Sequence, residues 1–206
     1  MRAIKRRYEK EIQCLSLAAR MVAHEARTQT IRRWSGVSEA RVRELYRAYA
    51  RERGDRYAVR HRGPAPRQPA YFLRTAHIRG DAGALAALCS LLEVIPPQPM
   101  PNARRELPNL PRGELLCRAY EMFTEMVGES DLTLEHAALL VTAIAQGTQL
   151  RIGHCVHCGG AIVFDPGELG RRACRHCCEE QHASGETDEP APPASQLPEG
   201  TQQSLF

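Results

Sequence analysis

Two Cys-x-x-Cys pairs, Cys155/Cys158 and Cys174/Cys177, stand fifteen residues apart near the C-terminal end of a 206-residue chain. Paired motifs at this separation specify a four-cysteine metal site far better than a lone pair does. Zinc is borderline-soft and takes four thiolates tetrahedrally, and each short Cys-x-x-Cys turn presents two sulfurs to one ion. A catalytic zinc keeps an open position and uses histidine or carboxylate ligands, so four thiolates point to one structural zinc per chain. Cys178, His154, His157 and His176 lie beside these residues, and each is able to replace a nominal ligand. Two redox dithiols, or buried free thiols, are the competing chemistry.

The elements that must hold these sulfurs are short. Gly159 and Gly160 follow the first pair, where a knuckle requires residues tolerant of positive φ. Ala161 to Phe164 is an apolar run suited to a strand, and Asp165-Pro166-Gly167 signals a turn. The expected order is knuckle, strand, turn, return strand, knuckle, which makes residues 149–178 a small zinc-binding module. Residues 179–206 are acidic, polar and proline-rich, a composition expected to be disordered.

Charge divides the chain. Residues 1–80 carry 20 Lys/Arg against 7 Asp/Glu, and residues 81–206 carry 8 against 17. A basic half dominated by arginine is the electrostatic footprint of nucleic-acid binding, because guanidinium groups contact phosphates and guanine edges in pairs of hydrogen bonds. No apolar run reaches transmembrane length and no signal-peptide core follows the basic N-terminus, so a cytoplasmic protein with no membrane partner is expected. That compartment is reducing, which favours metal-bound or free thiols over disulfides. Cys14, Cys89 and Cys117 sit in helix-like segments and read as small core residues.

The hydrophobic period predicts a mainly α-helical fold. After a basic lead-in, Ile12, Leu15, Ala19, Val22 and Ala23 mark a helix to about Ala26. A second helix covers Thr28 to Trp34, Ser35-Gly36 turns, and Ser38 caps a third helix running to about Tyr49 or Arg51. Ile31, Val37, Val42 and Leu45 would lock the last two together, with Trp34 in the core. Residues 1–53 therefore read as a helix-turn-helix-like DNA-binding region, with Arg41, Arg43, Arg47 and Arg51 outward toward the groove and phosphates. Residues 54–80 read as a basic, proline-containing arm. Residues 81–148 read as a helical core: a helix capped by Asp81 and ended by Pro96-Pro97, one from Gly113 to Val127, and one from Thr133 to Gln146 closed by Gly147. No phosphate-cradling glycine loop, nucleophile elbow or zinc-protease helix is present, so no catalytic residues are assigned. Glu135-His136 reads as a surface pair or a satisfied core contact.

The arginine-rich segment Arg41-Val-Arg-Glu-Leu-Tyr-Arg47, a proline-containing loop with an aromatic pair, a helical middle, then Cys155-Val-His-Cys158-Gly-Gly160 and Cys174-Arg-His-Cys177 occur in that order. Over roughly residues 12–178 this order resembles the FlhC family, the zinc-containing subunit of the bacterial flagellar master transcriptional activator. The resemblance implies a cytoplasmic activator subunit that, with an FlhD-like partner in a hetero-oligomer, binds promoter DNA of flagellar operons and recruits RNA polymerase. It also implies zinc on Cys155, Cys158, Cys174 and Cys177. The extra Cys178, His157, His176 and the acidic tail depart from the family pattern. The alternatives to DNA binding are a zinc-ribbon adaptor bridging proteins and a thiol-redox protein.

Overall fold

The computed structural model describes residues 2–53, 65–96, 107–168 and 172–178. The 179–206 tail, with its expected disorder, and residues 54–64 of the basic 54–80 arm lie outside the described residues; the rest of that segment is not all arm, since Pro69–Leu73 form a 3-10 turn and a helix starts at Ala76. The described chain is mainly helical: α1 (Arg2–Ala23), α2 (Thr28–Ser35), α3 (Glu39–Arg53), a 3-10 turn (Pro69–Leu73), α4 (Ala76–Leu91), α5 (Leu110–Val127) and α6 (Leu134–Gln146). Two short strands, β1 (Arg151–His154) and β2 (Ala161–Phe164), follow, and a single helical turn covers residues 175–178.

Local chemistry explains most boundaries. Gly36 ends α2 in the left-handed region at φ 75°, its N–H donating to the Arg32 carbonyl, and glycine adopts this conformation without a Cβ penalty. Ser38 accepts from the Arg41 N–H at 3.4 Å and so starts α3 as its sequence suggests. Thr133 and Gly147 bracket α6, where Nδ1 of a neutral His136 accepts from the Thr133 N–H. Burial of His136 lowers its pKa and favours that neutral form.

Several expectations are corrected. α4 begins at Ala76, capped by Thr75 Oγ1 accepting from the Ile78 N–H, so Asp81 lies inside the helix instead of capping it. Asp81 is buried and accepts from Ser130 Oγ at 2.6 Å, a partner no local pattern reveals. α4 also stops at Leu91, before the prolines: Val94 N–H bonds to the Cys89 carbonyl and Glu93 turns left-handed at φ 58°. On α1 the buried face is Leu17, Ala18, Met21 and Val22, whereas Ile12, Ala19 and Ala23 are exposed. Of the expected stripe, Val22 is buried and Leu15 half-buried, while Ile12, Ala19 and Ala23 face out because the buried face is rotated toward Leu17, Ala18 and Met21. Cys14, read as core, is half-buried, while Cys89 and Cys117 are fully buried. Burial pushes both thiols up to about 12.

α1 packs against α2, α3 and α5, and α4 against α5, α6, the 3-10 turn and β2. One hydrophobic cluster links these layers, from Leu17 through Trp34, Val42, Phe72, Leu85, Phe123 and Leu140 to Val163. Side chains of residues 1–53 and 81–148 thus share one core. Val37 and Leu45 pack on it half-buried.

Carboxylates join the layers. The buried Glu135 of α6 accepts the Arg27 backbone N–H at 2.6 Å and the Thr30 hydroxyl at 2.7 Å, which places a negative charge at the positive end of α2. Glu121 of α5 accepts from Arg20 Nε at 2.8 Å and pairs with His24 at 2.8 Å. The Arg20 hydrogen bond holds the Glu121 carboxyl at about 2, below its ordinary 4.5. A carboxyl depressed in the folded state contributes stability that is complete above its unfolded pKa and lost as pH falls toward the folded one. Urea unfolding across pH is therefore expected to show stability falling between pH 5 and 2, with a shallower fall in Glu121→Gln; equal slopes would remove Glu121 from this role.

Candidate metal centre

The hairpin that carries the first knuckle is antiparallel, with Arg151 opposite Phe164 and His154 opposite Ala161. The strand pairing with Ala161–Phe164 therefore precedes the first cysteine pair, and among the described residues no return strand after Asp165-Pro166-Gly167 pairs with it. The reason is closure. The Cys155 N–H donates to the Gly160 carbonyl at 2.8 Å and the Gly159 N–H to the Cys155 carbonyl at 2.9 Å, so the knuckle is the hairpin loop itself. Gly159 takes φ 73°, as the knuckle requires. The second pair is tied in by the Val156 N–H donating to the Arg172 carbonyl at 2.9 Å.

Sulfurs of Cys155, Cys158, Cys174 and Cys177 all lie within 4.8 Å of one another. Cys158 and Cys174 are 3.6 Å apart. Tetrahedral Zn–S bonds of about 2.3 Å require sulfur separations of about 3.8 Å, so the set fits a four-thiolate ion. Backbone N–H groups already point at the sulfurs: Cys174 to Cys155 at 3.2 Å, Gly160 to Cys158 at 3.4 Å and Cys177 to Cys174 at 3.5 Å. These donors favour thiolate. Hydrogen bonds from the Cys158 and Cys174 backbone hold Cys155 at about 6, below an ordinary thiol. Cys177 is pushed upward, first by its hydrogen bond with the Cys174 sulfur. A dication among the four sulfurs would displace their protons and bind them as thiolates. Cys178 is not part of the cluster; its N–H bonds to the Cys174 carbonyl. His154 Nδ1 lies 3.2 Å from the Gly159 carbonyl oxygen, and His157 and His176 are exposed. Among the described residues the nominal four cysteines are the ones brought together.

The knuckle is seated on the helices. A Cβ at Gly83 of α4 would lie 2.8 Å from the Ala161 carbonyl oxygen, so β2 crosses α4 at backbone contact distance. Beside this crossing Arg175, between the second cysteine pair, lies 3.0 Å from His77 Nδ1, and His77 Nε2 is 3.5 Å from Asp81. The side chains of this link sit about a hundred residues apart, and the only hint in the sequence was a glycine inside a helical pattern.

Arg41, Arg43, Arg47 and Arg51 are exposed on α3, remote in sequence from the cysteines. Two of them are already paired: Arg41 with Glu44 at 2.7 Å and Arg43 with Glu39. Glu39 also meets Arg32 of α2 at 3.6 Å. No helix of the described residues is long and apolar enough to cross a membrane. No protein-family model matches this chain, and no curated protein sequence matches it.

Two outcomes are expected here. Cys177→Ser should lower the bound metal well below one per chain by elemental analysis and lower the thermal midpoint; a full equivalent retained would displace Cys177 from the ligand set. Gly83→Ala should cost about 1–3 kcal/mol in urea unfolding, because the methyl group meets backbone that cannot rotate away. Unchanged stability would mean that β2 does not sit against α4.

Proposed function

We propose that this chain is a DNA-binding transcriptional activator subunit whose C-terminal knuckle holds a structural zinc ion. The observation that supports it most is the exposed arginine face of α3, preceded by α2 and the Gly36 turn, in a chain whose first 80 residues carry most of its positive charge. In this reading α2 and α3 act as a helix-turn-helix. Arg47 and Arg51 meet phosphates, while Arg41 and Arg43 exchange their carboxylate partners for the nucleic acid. Giving up an exposed ion pair costs little, since such pairs contribute about 0–1 kcal/mol. The zinc, through Cys155, Cys158, Cys174 and Cys177, supplies folding free energy to the module instead of chemistry.

The resemblance to the FlhC family extends the reading to a cytoplasmic hetero-oligomer with an FlhD-like subunit, acting at promoters of motility operons and recruiting RNA polymerase. A zinc-ribbon adaptor that bridges proteins would share the knuckle but would show no salt-sensitive DNA binding.

A DNA-binding titration across salt tests the proposal. Removing one cation that neutralises a phosphate should reduce the slope of log affinity against log salt by about 1, so Arg47→Ala should weaken binding and flatten that slope. Glu39→Gln should strengthen binding, because it removes a negative charge and frees both Arg32 and Arg43. Salt-independent binding, or no response to either substitution, would overturn the DNA reading.

A further inference from the structure

The first turns of α1 project beyond the core. Residues 4–13 are all exposed, and three of the six exposed large hydrophobic side chains among the described residues fall there: Ile4 at 76%, Tyr8 at 65% and Ile12 at 50%. Spacing by four places them on one helix face, and half-buried Leu15 continues the stripe toward the body of the protein. A contiguous apolar stripe bordered by charges marks an interaction surface more than scattered exposed residues do.

We infer that this stripe is the contact between two copies of the chain, their α1 helices antiparallel about a two-fold axis at Tyr8. The sequence from Ile4 to Ile12, IKRRYEKEI, is self-complementary in that arrangement. Ile4 opposes Ile12 of the second copy, and the two Tyr8 rings meet at the axis. At about 100° per residue, Lys5 and Glu9 line one edge of the stripe, Arg7 and Glu11 line the other, and Arg6 and Lys10 face solvent behind.

The charges select the direction. With a rise of about 1.5 Å per residue, antiparallel pairing sets Lys5 about 3 Å along the axis from Glu9 of the second copy, and Arg7 the same distance from Glu11. Each edge then has two opposite-charge neighbours and one like-charge neighbour (Glu9 with Glu9, or Arg7 with Arg7). Parallel pairing reverses the balance, because Lys5 faces Arg7 and Glu9 faces Glu11. In the single chain Lys5 lies 4.0 Å from Glu9, and both side chains are exposed. The contact is short and lies below the roughly 1,200 Å² of stable interfaces, so association is weak and follows concentration. This pairing is independent of what α3 binds.

Sedimentation equilibrium of the full metal-loaded chain over a range of concentrations tests it. The mass should rise from 23.0 kDa toward twice that value. Tyr8→Glu should stay monomeric with an unchanged helical circular-dichroism signal. Lys5→Glu should weaken association roughly tenfold, through two repulsive contacts per dimer. Lys5→Glu/Arg7→Glu and Glu9→Lys/Glu11→Lys chains should each be monomeric alone and associate when mixed, a rescue that no contact within one chain produces. A monomer at every concentration overturns the inference. So does a Tyr8→Glu dimer, which would place the contact elsewhere, or tighter association of Lys5→Glu, which would make the pairing parallel.

Discussion

The close crossing of α4 and β2 at Gly83 and Ala161 is the contact on which the arrangement of the molecule rests. A strand of four residues cannot bury enough apolar surface to fold alone. Here it divides its side chains between two neighbours: Val163 joins the large helical core, while Ile162 packs with Cys155 and Cys177 beneath the knuckle. Alternation along the strand makes that division possible. The four-cysteine cluster and the helical core thereby share one backbone segment, so order at the sulfurs and order at α4 support each other.

Carboxylates play a second structural part because arginine and hydroxyl partners come to them from other elements. Glu135, Glu121 and Asp81 each join segments far apart in the chain. An unpaired buried carboxylate would cost several kcal/mol, whereas one accepting two or more hydrogen bonds holds its partners in a fixed orientation. Glu135 is the clearest case, since both its oxygens are engaged at the start of α2 and its charge meets the positive end of that helix. The orientation of α2, and with it the course of the chain into Gly36 and α3, is fixed from behind by α6. Glu39 acts differently, as an exposed acid shared between Arg32 and Arg43 on the surface proposed to meet nucleic acid.

Features whose cause lies within a few residues are legible in the amino-acid order. The helix caps at Ser38 and Gly147, the left-handed turn at Gly36 and the helical character of residues 113–127 and 134–146 follow from local hydrogen bonding and apolar period. The four cysteines were legible for the same reason, since a Cys-x-x-Cys turn is a local device and its repetition names the four residues that cluster. Features whose partners lie 49 to 98 residues away, or on the other side of a loop, come only with the folded chain. Asp81 looked like a cap because a helix starting there is locally plausible, yet Ser130 gives it a buried role. The strand before Cys155 pairs with Ala161–Phe164 because the knuckle closes a hairpin, which the turn signal at Asp165-Pro166-Gly167 obscured. The face that α1 buries is set by α2, α3 and α5 together, and the period of an amphipathic helix does not say which neighbours will cover it.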